Sequence, residues 1–396
     1  MMQISPEIQL FIREHSSDDV RVLALQAKKY PDIDMPTVIT QIAGRKVAAE
    51  KIPSWWEIEK IWYPKHLSLE QCSSEITARY KARLLQGDSL TDLTGGFGID
   101  CSFLATGFKS ATYVERQEEL CEIAAHNFPV LNLNHINIKN EDGVTYLQAM
   151  SPVDCLFLDP ARRNEHGGKT VAISDCEPNV AELEELLLQK ANRVMIKLSP
   201  MLDLSLALKE LKQTQEVHIL SVNNECKELL ILLGQTSPAE ISIHCVNLFT
   251  TGTQKEQHFV FTREQEQCSE CTYTDSLETY LYEPNASLLK AGAFRSIAAA
   301  YPVRKLHPNS HLYTSDTFIE NFPGRIFRIV NQCSFNKKEV KENLADLKKA
   351  NVTVRNFPAT VAELRKRIHL AEGGDTYLFA STLNNGQKVL IRCEKV

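Results

Sequence analysis

Asp92-Leu93-Thr94-Gly95-Gly96-Phe97-Gly98 is the stretch on which the fold turns. It closes a short expected strand, Ser89 to Leu93, and precedes a segment with helical spacing. Glycines at a strand-to-helix turn let the backbone approach a ligand where unpaired N–H groups gather. Where a dinucleotide fingerprint wants a third glycine, this chain has Cys101, which disfavours a nicotinamide enzyme. Glu115 ends the next strand-like run, 17 residues after Gly98. A carboxylate at that point can accept hydrogen bonds from both ribose hydroxyls of a nucleoside ligand.

Outward from this turn, strands and helices alternate. Helical spacing over 69–85 leads into the first strand, and a further helix is expected over 117–128. Strands follow at Ile136–Ile138, Asp154–Asp159 and Arg193–Ser199, with a helix over 180–190 before the last of these. Such alternation implies parallel βαβ units and a doubly wound sheet. Asp142 follows the third strand, where an acid can accept from an adenine amino group. Asp159-Pro160-Ala161-Arg162 follows the fourth, placing a carboxylate at the sheet edge where ligands of open α/β folds bind. Two hairpins are expected beyond, over 217–233 and 240–262.

The flanks read differently. Residues 1–66 are helical: Ser5-Pro6 pairs an N-cap with proline at the first helical position, and Ser17-Asp18-Asp19 opens another helix. Trp55, Trp56, Trp62 and Tyr63 gather there, and their expected task is to pack this region on the neighbouring domain. Residues 283–321 read as a connector with one helix. From Arg325 the order is strand, helix, strand, helix, strand, strand, a small α+β sandwich over 322–396. The expected domains are therefore 1–66, 67–282 with a hairpin extension at 240–262, the connector, and 322–396.

The segment Asp92 to Gly98 resembles motif I of the class I S-adenosylmethionine-dependent methyltransferases. Glu115 is similar to their ribose-binding acid, Asp142 to the adenine-contacting acid, and Asp159-Pro160 to the start of motif IV beside the transferred methyl. Gln71 to Ala78 resembles the motif X segment near the cofactor's methionine end. The resemblance implies a Rossmann-like sheet with S-adenosyl-L-methionine as cofactor. It implies that Ser74, Thr77, Asp92, Thr94, Gly96, Gly98, Glu115 and Asp142 bind it, and that Asp159, Pro160 and Arg162 serve catalysis. The whole order is similar to a narrower family with a C-terminal ferredoxin-like, THUMP-like domain, whose implied role is RNA methylation. The RNA, ribosomal or transfer, stays open.

Enzymes of this kind that methylate exocyclic amines usually carry Asn/Asp-Pro-Pro and then an aromatic residue. This chain has Ala161 and Arg162 in the last two places. Uridine C5 methylation needs an attacking cysteine, and Lys197-Leu198-Ser199-Pro200 offers a serine instead. A base amino group is the expected acceptor. The alternatives are a catalytically silent RNA-binding scaffold, or methylation of a protein or small molecule.

Charge supports an RNA partner. The formal net charge is −6 over 396 residues, yet residues 322–396 hold 14 Lys/Arg and 7 Asp/Glu. That +7 leaves −13 on the rest, an acidic body with a basic end. Arg365, Lys366 and Arg367, with Arg163 beside the methyl site, are the expected RNA contacts. No metal site is expected, because Cys268-Ser-Glu-Cys271 lacks a second ligand pair. No apolar run approaches the ~18 residues of a membrane span, and neither a leader peptide nor a membrane partner is expected. Eleven unpatterned cysteines suit a cytoplasmic setting.

Overall fold

The computed structural model describes residues 5–162, 172–236 and 238–396. It falls into two units, Met1–Gln215 with Leu230–Pro238, and Glu216–Leu229 with Ala239–Val396. Among the described residues no helix is long and apolar enough to cross a membrane.

The first unit opens with capped helices. Ser5 Oγ accepts from Ile8 N at the head of Pro6–Glu14, and Asp19 and Asp34 cap Val20–Leu25 and Met35–Lys51. These side chains satisfy N–H groups that a first helical turn leaves unpaired. Trp55 and Trp62 pack as expected, whereas Trp56 is exposed, with Arg45 over its ring. Trp55 meets Phe97 edge-on at 5.2 Å, and both join Leu69, Ala78, Ile99, Leu120 and Ile123 in one buried cluster. Trp62 stacks on His126 at 3.8 Å.

The parallel sheet that follows is built from β1 (Ser89–Asp92), β2 (Ser110–Glu115), β3 (Ile136–Asn140) and β4 (Val153–Leu158). A small antiparallel pair, β5 (Ala161–Arg162) and β6 (Cys176–Glu177), precedes β7 (Ala191–Leu198). The order is β7-β4-β1-β2-β3. Asp92 pairs with Tyr113 on one side and Phe157 on the other, and Glu115 pairs with Asn140. The C-terminal ends of the strands thereby lie at one edge, which brings together the acids that end β1 and β2 and the one that follows β4.

The second unit takes most of β8 (Thr214–Val222), the start of β9 (Glu225–Gly234), then β10 (Ser242–Leu248) and β11 (Glu256–Thr262). β10 runs parallel to β8 and antiparallel to β11. A separate seven-stranded sheet combines β12 (Tyr280–Pro284), β13 (Arg304–Lys305), β14 (Tyr313–Ser315), β15 (Gly324–Ser334), β16 (Asn351–Val354), β17 (Thr376–Thr382) and β18 (Lys388–Lys395). Its order is β13-β14-β12-β15-β18-β17-β16. Its last four strands carry helices Lys337–Leu344 and Val361–Ile368, the α+β pattern expected of the C-terminal domain. Glu283 on β12 is buried and paired to Arg325 and Arg355, fixing β12 to residues around β15 and β16.

Candidate active site

Each acid at the sheet edge has a different set of partners. Asp92 is 1% exposed; its Oδ1 accepts from Thr94 N at 3.0 Å, while Oδ2 has no hydrogen-bond partner within the protein. Burial pushes the Asp92 carboxyl up to about 8, against the bond from Thr94. Thr94 also bridges to the fourth strand, because its Oγ1 accepts from Asp159 N at 2.6 Å.

The glycine turn has two distinct parts. Gly95 lies against the Tyr113 ring, where a Cβ would come within 2.2 Å of a ring carbon. Gly96 has φ +54° and faces open space, a Cβ there meeting only Thr94 O at 3.8 Å. Gly98, at φ +87°, precedes the helix Ile99–Ala105. Gly96 N donates to Glu115 Oε2 at 2.9 Å, and Gln117 N donates to Oε1 at 2.8 Å. Each carboxylate oxygen keeps a second lone pair for a ligand hydroxyl.

Asp142 stands at the start of helix Gly143–Ala149, its Oδ1 accepting from Val144 N and Thr145 N at 3.0 Å. It is exposed beside the same edge, since Gly143 touches the carbonyl oxygen of Leu93. Ser74 and Thr77 occupy the first turn of helix Glu75–Ala82 and face each other, 3.3 Å between their hydroxyls. Ala161 and Arg162 lie in β5, and Pro160 is buried. Arg163, expected beside the methyl site, lies outside the described residues.

Four residues that sequence reasoning missed make the site's polar centre. Lys197 Nζ lies 2.5 Å from Asp159 Oδ2, 3.3 Å from Asp100 Oδ2 and 3.0 Å from Ser73 Oγ. Lys81 Nζ lies 3.0 Å from Asp100 Oδ1 and 2.9 Å from Ser73 Oγ, and Ser73 donates to Asp100 at 2.7 Å. Burial works against an ionised Asp100, but the ammonium groups of Lys81 and Lys197 outweigh it and pull the carboxyl down to about 2. Asp159 is pushed up by burial, with Lys197 opposing the rise. Asp100 is thus a fixed anion, and Asp159 an acid whose charge is balanced by one lysine. The sequence signal was a lysine in a buried strand, Met195-Ile196-Lys197-Leu198, since lone charges are rarely buried without a partner.

The expected RNA contacts sit on helix Val361–Ile368 of the second unit. Arg365 pairs with Glu372 at 2.8 Å, Arg367 lies over the Phe335 ring at 4.1 Å, and Lys366 is exposed.

Comparison with known proteins bears on the whole chain. Residues 280–323 match a ferredoxin-like domain model, and residues 324–395 match a THUMP domain-like model. The crystal structure of a "putative methyltransferase" from Porphyromonas gingivalis W83 is similar over 98% of each chain, with 35% identity and a TM-score of 0.87. Two slighter likenesses each span 40% of this chain at 14% identity and a TM-score of 0.30. They are a protein of Streptococcus mutans in complex with SAH (96% of that chain) and an rRNA methylase of Streptococcus thermophilus (93% of that chain). The comparison with curated proteins found no match.

Proposed function

Because the chain belongs to the class I S-adenosylmethionine-dependent methyltransferases that carry a C-terminal THUMP-like domain, we propose that it methylates a base amino group of RNA in the cytoplasm. The observation that carries this reading is the acid set at one sheet edge: Asp92, Glu115 and Asp159, linked through Thr94 and Gly96.

The residues fit the cofactor. Asp92 Oδ2 is a buried oxygen with no partner within the protein, and the ammonium of a methionine moiety would provide one and favour the ionised acid. Glu115 offers lone pairs to ribose hydroxyls, and the space over Gly96 leaves room for the ligand against the backbone. Asp142, at the neighbouring helix start, would face the adenine. Ser74 and Thr77 would line the methionine end. The bound cofactor supplies an electrophilic methyl carbon.

The protein's own part is to hold and deprotonate the acceptor. Asp159 accepts an N–H of the incoming amine, which turns the nitrogen lone pair toward the methyl and takes up the proton released on transfer. Lys197 keeps Asp159 in its accepting form despite burial, and Thr94 fixes the backbone from which that carboxyl projects. Pro160 stiffens the turn, and Arg162 holds the position in the sequence motif that an aromatic residue usually holds in amine-methylating enzymes. The basic helix Val361–Ile368, with Arg365, Lys366 and Arg367, would hold the RNA phosphates.

The test is nucleoside mass spectrometry of RNA from cells with and without the gene, paired with transfer of labelled methyl to the deficient RNA by purified protein. Loss of one methylated amino nucleoside, restored in vitro, is the expected result. Methyl transfer only to protein or to a small molecule would overturn it.

A further inference from the structure

Far along the chain from the acids of β1, β2 and β4, three adjacent strands of the second unit carry imidazoles on one face. β8 and β10 run parallel with His218 directly opposite His244. Their rings stack at 4.3 Å with 14° between planes. Glu216, two residues before His218, points to the same face, since side chains alternate along a strand. Its Oε2 lies 3.3 Å from His218 Nε2. On the far side of β10, His258 of β11 reaches back, its Nε2 3.1 Å from His244 Nδ1.

Glu216, His218 and His244 each present one ligand atom, all within 4.8 Å of one another. Ligands around a tetrahedral zinc at ~2.0–2.1 Å stand about 3.3 Å apart. The Glu216–His218 separation already has that value, and the third ligand needs a shift of about 1.5 Å at most, within the reach of a side-chain torsion. Two imidazoles and a carboxylate make a donor set of borderline softness, suited to zinc-like cations rather than calcium or magnesium. Burial is graded: His218 is 3% exposed, while Glu216 and His244 are partly open and His258 is exposed, so an ion has a path in.

We propose that Glu216, His218 and His244 form a binding site for a zinc-type divalent cation, with His258 as the hydrogen-bonded partner that orients His244. A ligating histidine commonly engages a second group through its other ring nitrogen, and His258 stands in that position. The bound ion ties β8 to β10, segments more than twenty residues apart in sequence, and so stabilises the second unit.

The experiment uses untagged full-length protein, stripped of metal with a chelator and titrated with Zn²⁺ by calorimetry. A thermal-unfolding series runs in parallel. One high-affinity Zn²⁺ per chain and a raised unfolding midpoint are expected. His244→Gln and Glu216→Gln should each weaken binding about tenfold or more, and His258→Gln by a smaller factor. Cys268→Ser with Cys271→Ser serves as the control and should leave the affinity unchanged. Should His244→Gln fail to fold, the more open Glu216→Gln decides the matter. No zinc uptake, or uptake indifferent to both ligand variants, overturns the proposal.

Discussion

Lys197 and Asp159 form an ion pair with 2.5 Å between Nζ and Oδ2, across neighbouring strand ends. Leu158 pairs with Ile196 in the sheet, so the next residue on each strand falls opposite the other. Register alone therefore sets the cation against the acid, and this relation governs the first prediction.

Asp159→Ala should lower methyl transfer by about 10²–10⁴-fold, the usual size of a lost proton acceptor. Asp159→Asn keeps an accepting oxygen and should retain more activity than the alanine variant. Calorimetry with S-adenosylhomocysteine should show near-normal binding in both. Lys197→Met should cost activity and also about 3 kcal/mol of stability, because it leaves the buried Asp100 with only one of its two ammonium partners.

Asp92 predicts a pH signature. Its folded pKa of about 8 lies above the ordinary 3.8, so over that window the native state holds a proton that the unfolded chain has lost. The contribution of this group to stability is full below about pH 4 and lost as pH rises through about 8. Urea midpoints of the wild type should fall across that window relative to Asp92→Asn. Affinity for S-adenosylmethionine should rise over the same range in the wild type, because a cationic partner favours the ionised acid, and stay flat in Asp92→Asn.

The two kinds of glycine should separate binding from folding. Gly96→Ala places its Cβ in open space at the price of a left-handed backbone, costing about 1–2 kcal/mol of stability. Its larger effect should be on cofactor affinity in titration calorimetry. Gly143→Ala instead drives a Cβ to 2.2 Å from the Leu93 carbonyl oxygen, backbone against backbone. It should lower the thermal midpoint by more than Gly96→Ala does.

The basic helix predicts a graded RNA response. Lys366→Glu should weaken binding across RNA sequences and flatten the salt dependence by roughly one unit of slope or more. Arg365→Glu should also cost stability, because Arg365 is already committed to Glu372. Filter binding at several salt concentrations, read beside thermal melts, distinguishes the two.

The motif-bearing half of the site was legible because its signals are local. A glycine turn after a strand, an acid ending the next strand and an Asp-Pro after the fourth are short patterns, and Thr94 and Gly96 link them as the spacing implies. Ser73, Lys81, Asp100 and Lys197 were not legible, since each is ordinary in its own segment. Their meaning comes from partners up to 124 residues away, which only the packed sheet brings together. The motif X segment illustrates a finer limit. Helix phase turns Ser74 toward Thr77, while Ser73, one residue earlier, enters the lysine–aspartate centre. The histidine face escaped notice for the same reason: parallel register across β8 and β10 leaves no trace in linear spacing.

The glycine turn and Glu115 both emerge from the ribosome well before Lys197 does. A nascent chain that ends short of β7 holds every residue proposed to contact the cofactor, while its Asp159 lacks the cation it pairs with in the folded protein. On the roles proposed for them, synthesis delivers the groups that hold the methyl donor before the one that lets it be spent, an order set by the position of one lysine.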